Sequence, residues 1–166
     1  TDEVGNNNTE GSKTVNIDRT APTVEFAPKG NTTPEKSQTT TVTVTDPETD
    51  TEPSSGLNES SLKYVWTENT TEPADSEFTT TFTSGQQITL SDIQTGGRYL
   101  WIMARDNLGN TSKTVSNVFN FDNIKPTISV NPDELTTAAE SLNITITVED
   151  NGGAGLATTN QYKYYL

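Results

Sequence analysis

Gly97-Arg98-Tyr99-Leu100-Trp101-Ile102-Met103-Ala104-Arg105-Asp106-Asn107-Leu108-Gly109-Asn110 reads as one long strand running into a tight turn. Strand side chains alternate, so Leu100, Ile102 and Ala104 share one face and Tyr99, Trp101 and Met103 the other. The ending of this stretch occurs twice: RDNLGN at Arg105 to Asn110 matches TDEVGN at Thr1 to Asn6. Further along, DRTAPTV at Asp18 to Val24 returns as DNIKPTI at Asp122 to Ile128, at the same ungapped shift of about 104 positions. Asn16 with Asn120, Pro28 with Pro132, and Val42 to Asp46 with Ile146 to Asp150 obey the same shift. The register then slips by a few residues, after which Lys63-Tyr64 matches Lys163-Tyr164. A period this long is a whole small domain rather than a solenoid turn. The repeat divides the chain into the end of one copy (1–19), a complete copy (20–123) and the start of another (124–166).

Composition favours strands. Hydrophobic residues make up 29% of the 166 positions and mean hydropathy is −0.67. A two-layer sandwich suits so thin a core, because only alternate strand positions must be apolar. Roughly a fifth of the chain is threonine, whose β-branching favours extended backbone. Essentially no helix is expected. The net charge of −13 would repel nucleic acid and anionic membrane, and no stretch has the apolar length of a membrane span. Cysteine and histidine are both absent, which removes disulfides, thiolate nucleophiles, the commonest general base and the soft metal ligands together. No enzyme is expected.

Between the junction segments Asp18 to Pro22 and Asp122 to Pro126, strands are expected at Thr23–Phe26, Thr39–Thr45, Leu62–Thr67, Glu77–Phe82, Gln87–Ile93, Arg98–Asp106 and Ser112–Asp122. Val42 and Val44 alternate cleanly with threonines. The last strand should point Val115, Phe119 and Phe121 inward. Lys29-Gly30-Asn31 is read as a turn, and Asp46 to Ser61 as a long acidic surface loop. Trp66 is read as core. Seven strands with a Trp in the third describe an immunoglobulin-like all-β sandwich.

The residues also resemble a known family. Gly97 to Asn110, followed by Asp122 and Pro126, resembles the ending of bacterial Ig-like repeats of large secreted and cell-surface proteins, especially Gram-positive ones. Val44-Thr45-Asp46, Ser55-Gly56-Leu57 and Tyr64-Val65-Trp66 resemble the second and third strands of the same repeats. Arg98 departs from the pattern, standing where many members carry the first Tyr of a Tyr-Tyr pair. The resemblance covers the whole chain and implies an extracellular location, with neighbouring repeats or subunits as partners. It is specific for fold and not for function, because such repeats serve stalks, adhesins and filaments alike.

Two constellations stand out. In an Ig-like sandwich the loops after the second and sixth strands lie at the end where the linker enters, so Asp18, Asp46 and Asp106 should approach one another, and Asp122 and Asp150 likewise at the next junction. Ca²⁺ takes several hard oxygen ligands, to which Asn107, Asn110, Glu48 and Asp50 could add. The ordinary alternative is turn chemistry, in which Asp and Asn cap their own loops. The second constellation is the aromatic stripe. Tyr99 and Trp101, if open to solvent, could stack a host or cell-wall glycan or dock a protein. The ordinary alternatives are a loop or neighbouring domain covering it, or inverted faces. Six Asn-x-Ser/Thr sequons, including those at Asn31 and Asn143, are read as chance in a chain this rich in Asn and Thr. An internal Lys–Asn isopeptide bond is not expected, since the first strand holds no Lys. The expected role is a non-catalytic spacer working through its hinges, with an adhesive or carbohydrate-binding module as the alternative.

Overall fold

A computed structural model describes residues 3–4, 17–49, 52–134, 137–138, 140–159 and 163. Its regular structure is all-β apart from two 3-10 turns, Glu59–Ser61 and Asp75–Glu77. Among the described residues no helix is long and apolar enough to cross a membrane. Nine strands build the main unit: β1 Thr23–Ala27, β2 Asn31–Glu35, β3 Ser37–Thr45, β4 Lys63–Thr67, β5 Thr80–Thr81, β6 Gln86–Ser91, β7 Thr95–Arg105, β8 Thr111–Val115 and β9 Phe119–Asp122. A two-stranded unit follows, β10 Thr127–Asn131 with β11 Thr145–Glu149.

The main unit is a β-sandwich. One sheet runs β1-β3-β6; the other runs β2-β9-β7-β4-β5, with β8 also on β7. Burial along β3 alternates, so that Gln38, Thr40, Val42 and Val44 point inward while the threonines between them face water. Val42, Val44 and Ile88 from the first sheet meet Leu100, Ile102 and Ala104 from the second, with Leu62 and Phe82 completing the core. Trp66 packs against this core and meets the Phe119 ring edge-on at 5.6 Å.

The described strands depart from the expected seven in three places. The segment after Lys29-Gly30 is a strand, β2, which pairs in parallel with β9. The expected strand Glu77–Phe82 shrinks to a 3-10 turn and the two residues of β5. The expected strand Ser112–Asp122 is two strands, broken at Ser116. There the Ser116 hydroxyl accepts the Leu100 N–H at 2.9 Å and the Ser116 N–H donates to the Leu100 carbonyl at 2.9 Å. The break changes faces: Phe119 and Phe121 are buried as expected, whereas Val115 packs in a second cluster on the outer face of the sheet.

The smaller unit pairs its two strands in a register that parallels that of β1 and β3. Thr23 pairs with Thr45 and Ala27 with Thr41 in β1–β3; Thr127 pairs with Glu149 and Asn131 with Thr145 in β10–β11. Every partner has moved by the same step in the chain. Thr23 and Thr127 also donate their hydroxyls to the equivalent carbonyls, those of Thr45 and Glu149.

Candidate functional site at the chain junctions

The acidic cluster forms at the end of the sandwich where the chain enters. Asp18 precedes β1, Asp46 follows β3 and Asp106 follows β7, and antiparallel pairing through β3 and the Leu57–Asp106 bridge brings all three to one end. Each contributes a carboxylate oxygen to a group in which the oxygens lie within 4.8 Å of one another. Asp106 is 1% exposed and Asp18 8%, while Asp46 is half-buried.

Most of their lone pairs are used. Asp18 Oδ1 accepts the Thr20 N–H at 2.9 Å and Oδ2 the Ser55 N–H at 2.7 Å. Asp106 Oδ1 accepts the N–H groups of Leu108 and Asn110 at 2.9 and 2.8 Å, and Oδ2 accepts the Asn110 side-chain amide at 2.6 Å. Asp46 Oδ2 accepts the Ser54 hydroxyl at 2.6 Å and the Gly56 N–H at 2.8 Å. Asp46 Oδ1 is buried and has no hydrogen-bond partner. The Ser55 side chain and then the Thr20 N–H hold the Asp18 carboxyl below its ordinary range. For Asp106, burial pushes upward, but the Asn110 side chain and the backbone N–H groups of the turn outweigh it, so this carboxyl too is lowered.

Turn capping therefore accounts for much of the cluster but not for all of it. Carboxylates gathered this closely repel one another, and Asp46 Oδ1 is a desolvated acceptor with nothing to accept. A hard divalent cation answers both conditions, and the donors present are all oxygen. Asn107 serves differently from the expectation of a ligand: its side-chain amide donates to the Ser55 carbonyl at 2.9 Å and its N–H to the Gly56 carbonyl at 2.9 Å, bracing the loop beside the cluster. The Asn110 amide also reaches the Asp18 carbonyl at 3.3 Å. Glu48 is exposed, and Asp50 lies outside the described residues.

The next junction has the same docking. Asp122 Oδ1 accepts the Ile124 N–H at 2.9 Å and Oδ2 the Ala154 N–H at 2.7 Å, as Asp18 does with Thr20 and Ser55. The Thr95 hydroxyl donates to the Gly152 carbonyl at 2.8 Å, and a side chain on Gly152 would run into the Asp122 carboxylate. Asp150 Oδ1 accepts the Gly152 N–H at 3.3 Å. Among the described residues no third acid joins Asp122 and Asp150. Sequence reading missed the loop partners Ser55 and Ala154. The signal was present: Ser55-Gly56-Leu57 and Ala154-Gly155-Leu156 align once the slip is allowed, with Gly56 and Gly155 both at positive φ.

The aromatic stripe is covered. Its faces are as expected, but Trp101 is 6% exposed and Met103 5%, packed with Phe78, Val65 and Val115 beneath the segment between β4 and β5. Lys113 fastens this cover: its Nζ reaches Asp75 at 2.8 Å, the Pro73 carbonyl at 2.9 Å and Glu72 at 3.1 Å, and it lies 5.5 Å from the centre of the Phe78 ring. Tyr99 is half-buried. An open stacking platform at Tyr99 and Trp101 is therefore not what the fold presents. No model of a known protein family matches the chain, and neither a curated protein nor a solved structure does.

Proposed function

We propose that this chain is a non-catalytic, extracellular spacer made of tandem Ig-like repeats, whose acidic junctions take Ca²⁺ and hold successive copies in a fixed relation. The observation that carries the reading is the duplicated joint. An Asp at the end of one copy caps its own linker two residues on, then docks onto a loop N–H of the copy that follows, at Asp18 and again at Asp122. The repeated β1–β3 and β10–β11 register supports the same division of the chain. In the complete copy, β1 pairs with β3 while its continuation β2 runs parallel to β9, the last strand, which supports the Ig-like plan.

Asp46 Oδ1 and the gathered carboxylates support the cation. Asp18, Asp46 and Asp106 are the residues that would hold it at the first joint, with Asp122 and Asp150 beginning the second. When bound, the cation would neutralise the three charges and tie linker, loop and turn together. The adhesive alternative gains nothing from the covered Trp101.

The test is how the particle grows with copy number. In small-angle scattering, a chain extended from one complete copy to two should gain maximum dimension by at least the roughly 30 Å length of a nine-residue strand such as β3. A particle that widens without lengthening would overturn the spacer reading.

A further inference from the structure

Asn151-Gly152 is the single Asn-Gly pair in the chain, and it stands inside the second joint. In such a pair the backbone nitrogen of the glycine can attack the Asn side-chain carbonyl carbon, and the missing Cβ leaves that approach open. The new C–N bond closes a five-membered imide. The side-chain amide nitrogen leaves as ammonia, taking up the proton that the glycine nitrogen gives up, and water then opens the ring. Opening at one ring carbonyl leaves an aspartyl residue at position 151. Opening at the other leaves an isoaspartyl residue, in which the backbone runs through the side chain and is longer by one methylene. Nothing is oxidised or reduced, and water is the only co-reactant.

The docked joint withholds the nitrogen. Asn151 is exposed, but Gly152 is buried. Its N–H donates to Asp150 Oδ1 at 3.3 Å and its carbonyl accepts the Thr95 hydroxyl at 2.8 Å, so it is held on both sides. Ring closure requires the planar Asn151–Gly152 peptide to turn toward the Asn side chain, which those bonds oppose. When the joint opens they are lost, and Gly153 and Gly155, both at positive φ, let the loop turn. The isoaspartyl product does not fit back. The Gly152 α-carbon lies so close to the Asp122 carboxylate that even a Cβ would run into it, and an extra backbone methylene one residue earlier shifts that contact. The product also sets a further carboxylate beside Asp122 and Asp150. At the first joint Pro47 follows Asp46 as Asn151 follows Asp150, so that position has no side-chain amide to lose.

We propose that Asn151-Gly152 is a self-modification site, shielded while the second joint is docked and converted to isoaspartate when it opens, and that the conversion releases the joint for good. Its use, a one-way loss of stiffness at one joint of an array, rests on the spacer reading. The chemistry and its shielding rest on the local geometry alone.

The test incubates the full chain in mildly alkaline buffer with chelator and follows Asn151 by peptide mapping in the folded chain, in the chain unfolded by urea and in Thr95→Val. That variant loses the hydroxyl that holds the Gly152 carbonyl, and Thr95 is exposed, so the core is untouched. Conversion should be several-fold slower in the folded parent than in urea, with Thr95→Val in between. In isoaspartyl chains separated by chromatography, the Ala154 amide, which the docked joint ties to Asp122, should exchange with deuterium several-fold faster than in the parent. Equal conversion rates in the folded and urea-unfolded chain, or in the parent and Thr95→Val, would overturn the shielding. Isoaspartyl chains that keep the parent's Ala154 exchange would overturn the release. If scattering showed folded-over copies while conversion still freed Ala154, the spacer reading would fall and the modification site would stand.

Discussion

At the level of single residues, Asp46 carries the sharpest consequence. Its Oδ2 is satisfied by Ser54 and Gly56, but Oδ1 is buried and unpartnered beside two other carboxylates. A cation held there stabilises the folded state by mass action, about 2.7 kcal/mol at a hundred times the dissociation constant. Millimolar Ca²⁺ should raise the melting temperature by several degrees and a chelator should reverse it. Asp46→Asn should be at least as stable as the parent in chelator, because it relieves like-charge repulsion, and should lose the response to Ca²⁺. A variant that keeps the full response would place the cation elsewhere. Titration gives a second check, centred on Asp75 and Lys113. The Lys113 hydrogen bond holds Asp75 below its ordinary 3.8, and the Asp75 hydrogen bond holds Lys113 above its ordinary 10.5. A lowered acid contributes stability above its unfolded pKa and loses it as pH falls through the folded value; a raised base contributes below its unfolded pKa and loses it as pH rises through the folded one. Thermal melts should therefore show this ion pair contributing fully between about pH 4 and pH 10, with losses below and above. Lys113→Met should flatten the alkaline loss; an unchanged alkaline limb would contradict the assignment.

Among elements, strands with a clean period of two were legible in the sequence. β3 and β7 lie where alternation puts them, with Leu100, Ile102 and Ala104 inward, and the meeting of Asp18, Asp46 and Asp106 followed from which loops share an end. β2 was not legible, because Asn31-Thr32-Thr33-Pro34-Glu35 has no apolar alternation and a proline. Its extended state comes from pairing with β9, far along the chain, and an edge strand tolerates Pro34. The break at Ser116 was hidden for a different reason. Val115, Phe119 and Phe121 have one parity, so an unbroken strand would put them on one face, and only the Ser116 bonds to Leu100 reveal the change. The cover over Trp101 depends on Phe78, which stands in a loop and has no periodic signal. Phe78 is 2% exposed, so Phe78→Ala should cost about 3 kcal/mol by denaturant unfolding and shift Trp101 fluorescence to the red. A loss under about 1 kcal/mol with unchanged emission would mean that the cover is not held by that ring.

For the whole molecule, the proposed spacer role turns on whether the joints are fixed. A proline-containing linker alone restricts bending only modestly. Here the linker is also docked, through Asp122 to Ala154 and Thr95 to Gly152, so the smaller unit should not swivel about Asn123. The most direct measurement is the distance distribution between spin labels at the exposed positions Thr43 on β3 and Thr147 on β11, recorded by pulsed electron resonance on the full chain. A fixed joint predicts one narrow distribution, narrowed further or unchanged by Ca²⁺ and broadened by Asp122→Ala. A broad distribution in the parent chain with Ca²⁺ present would contradict the account.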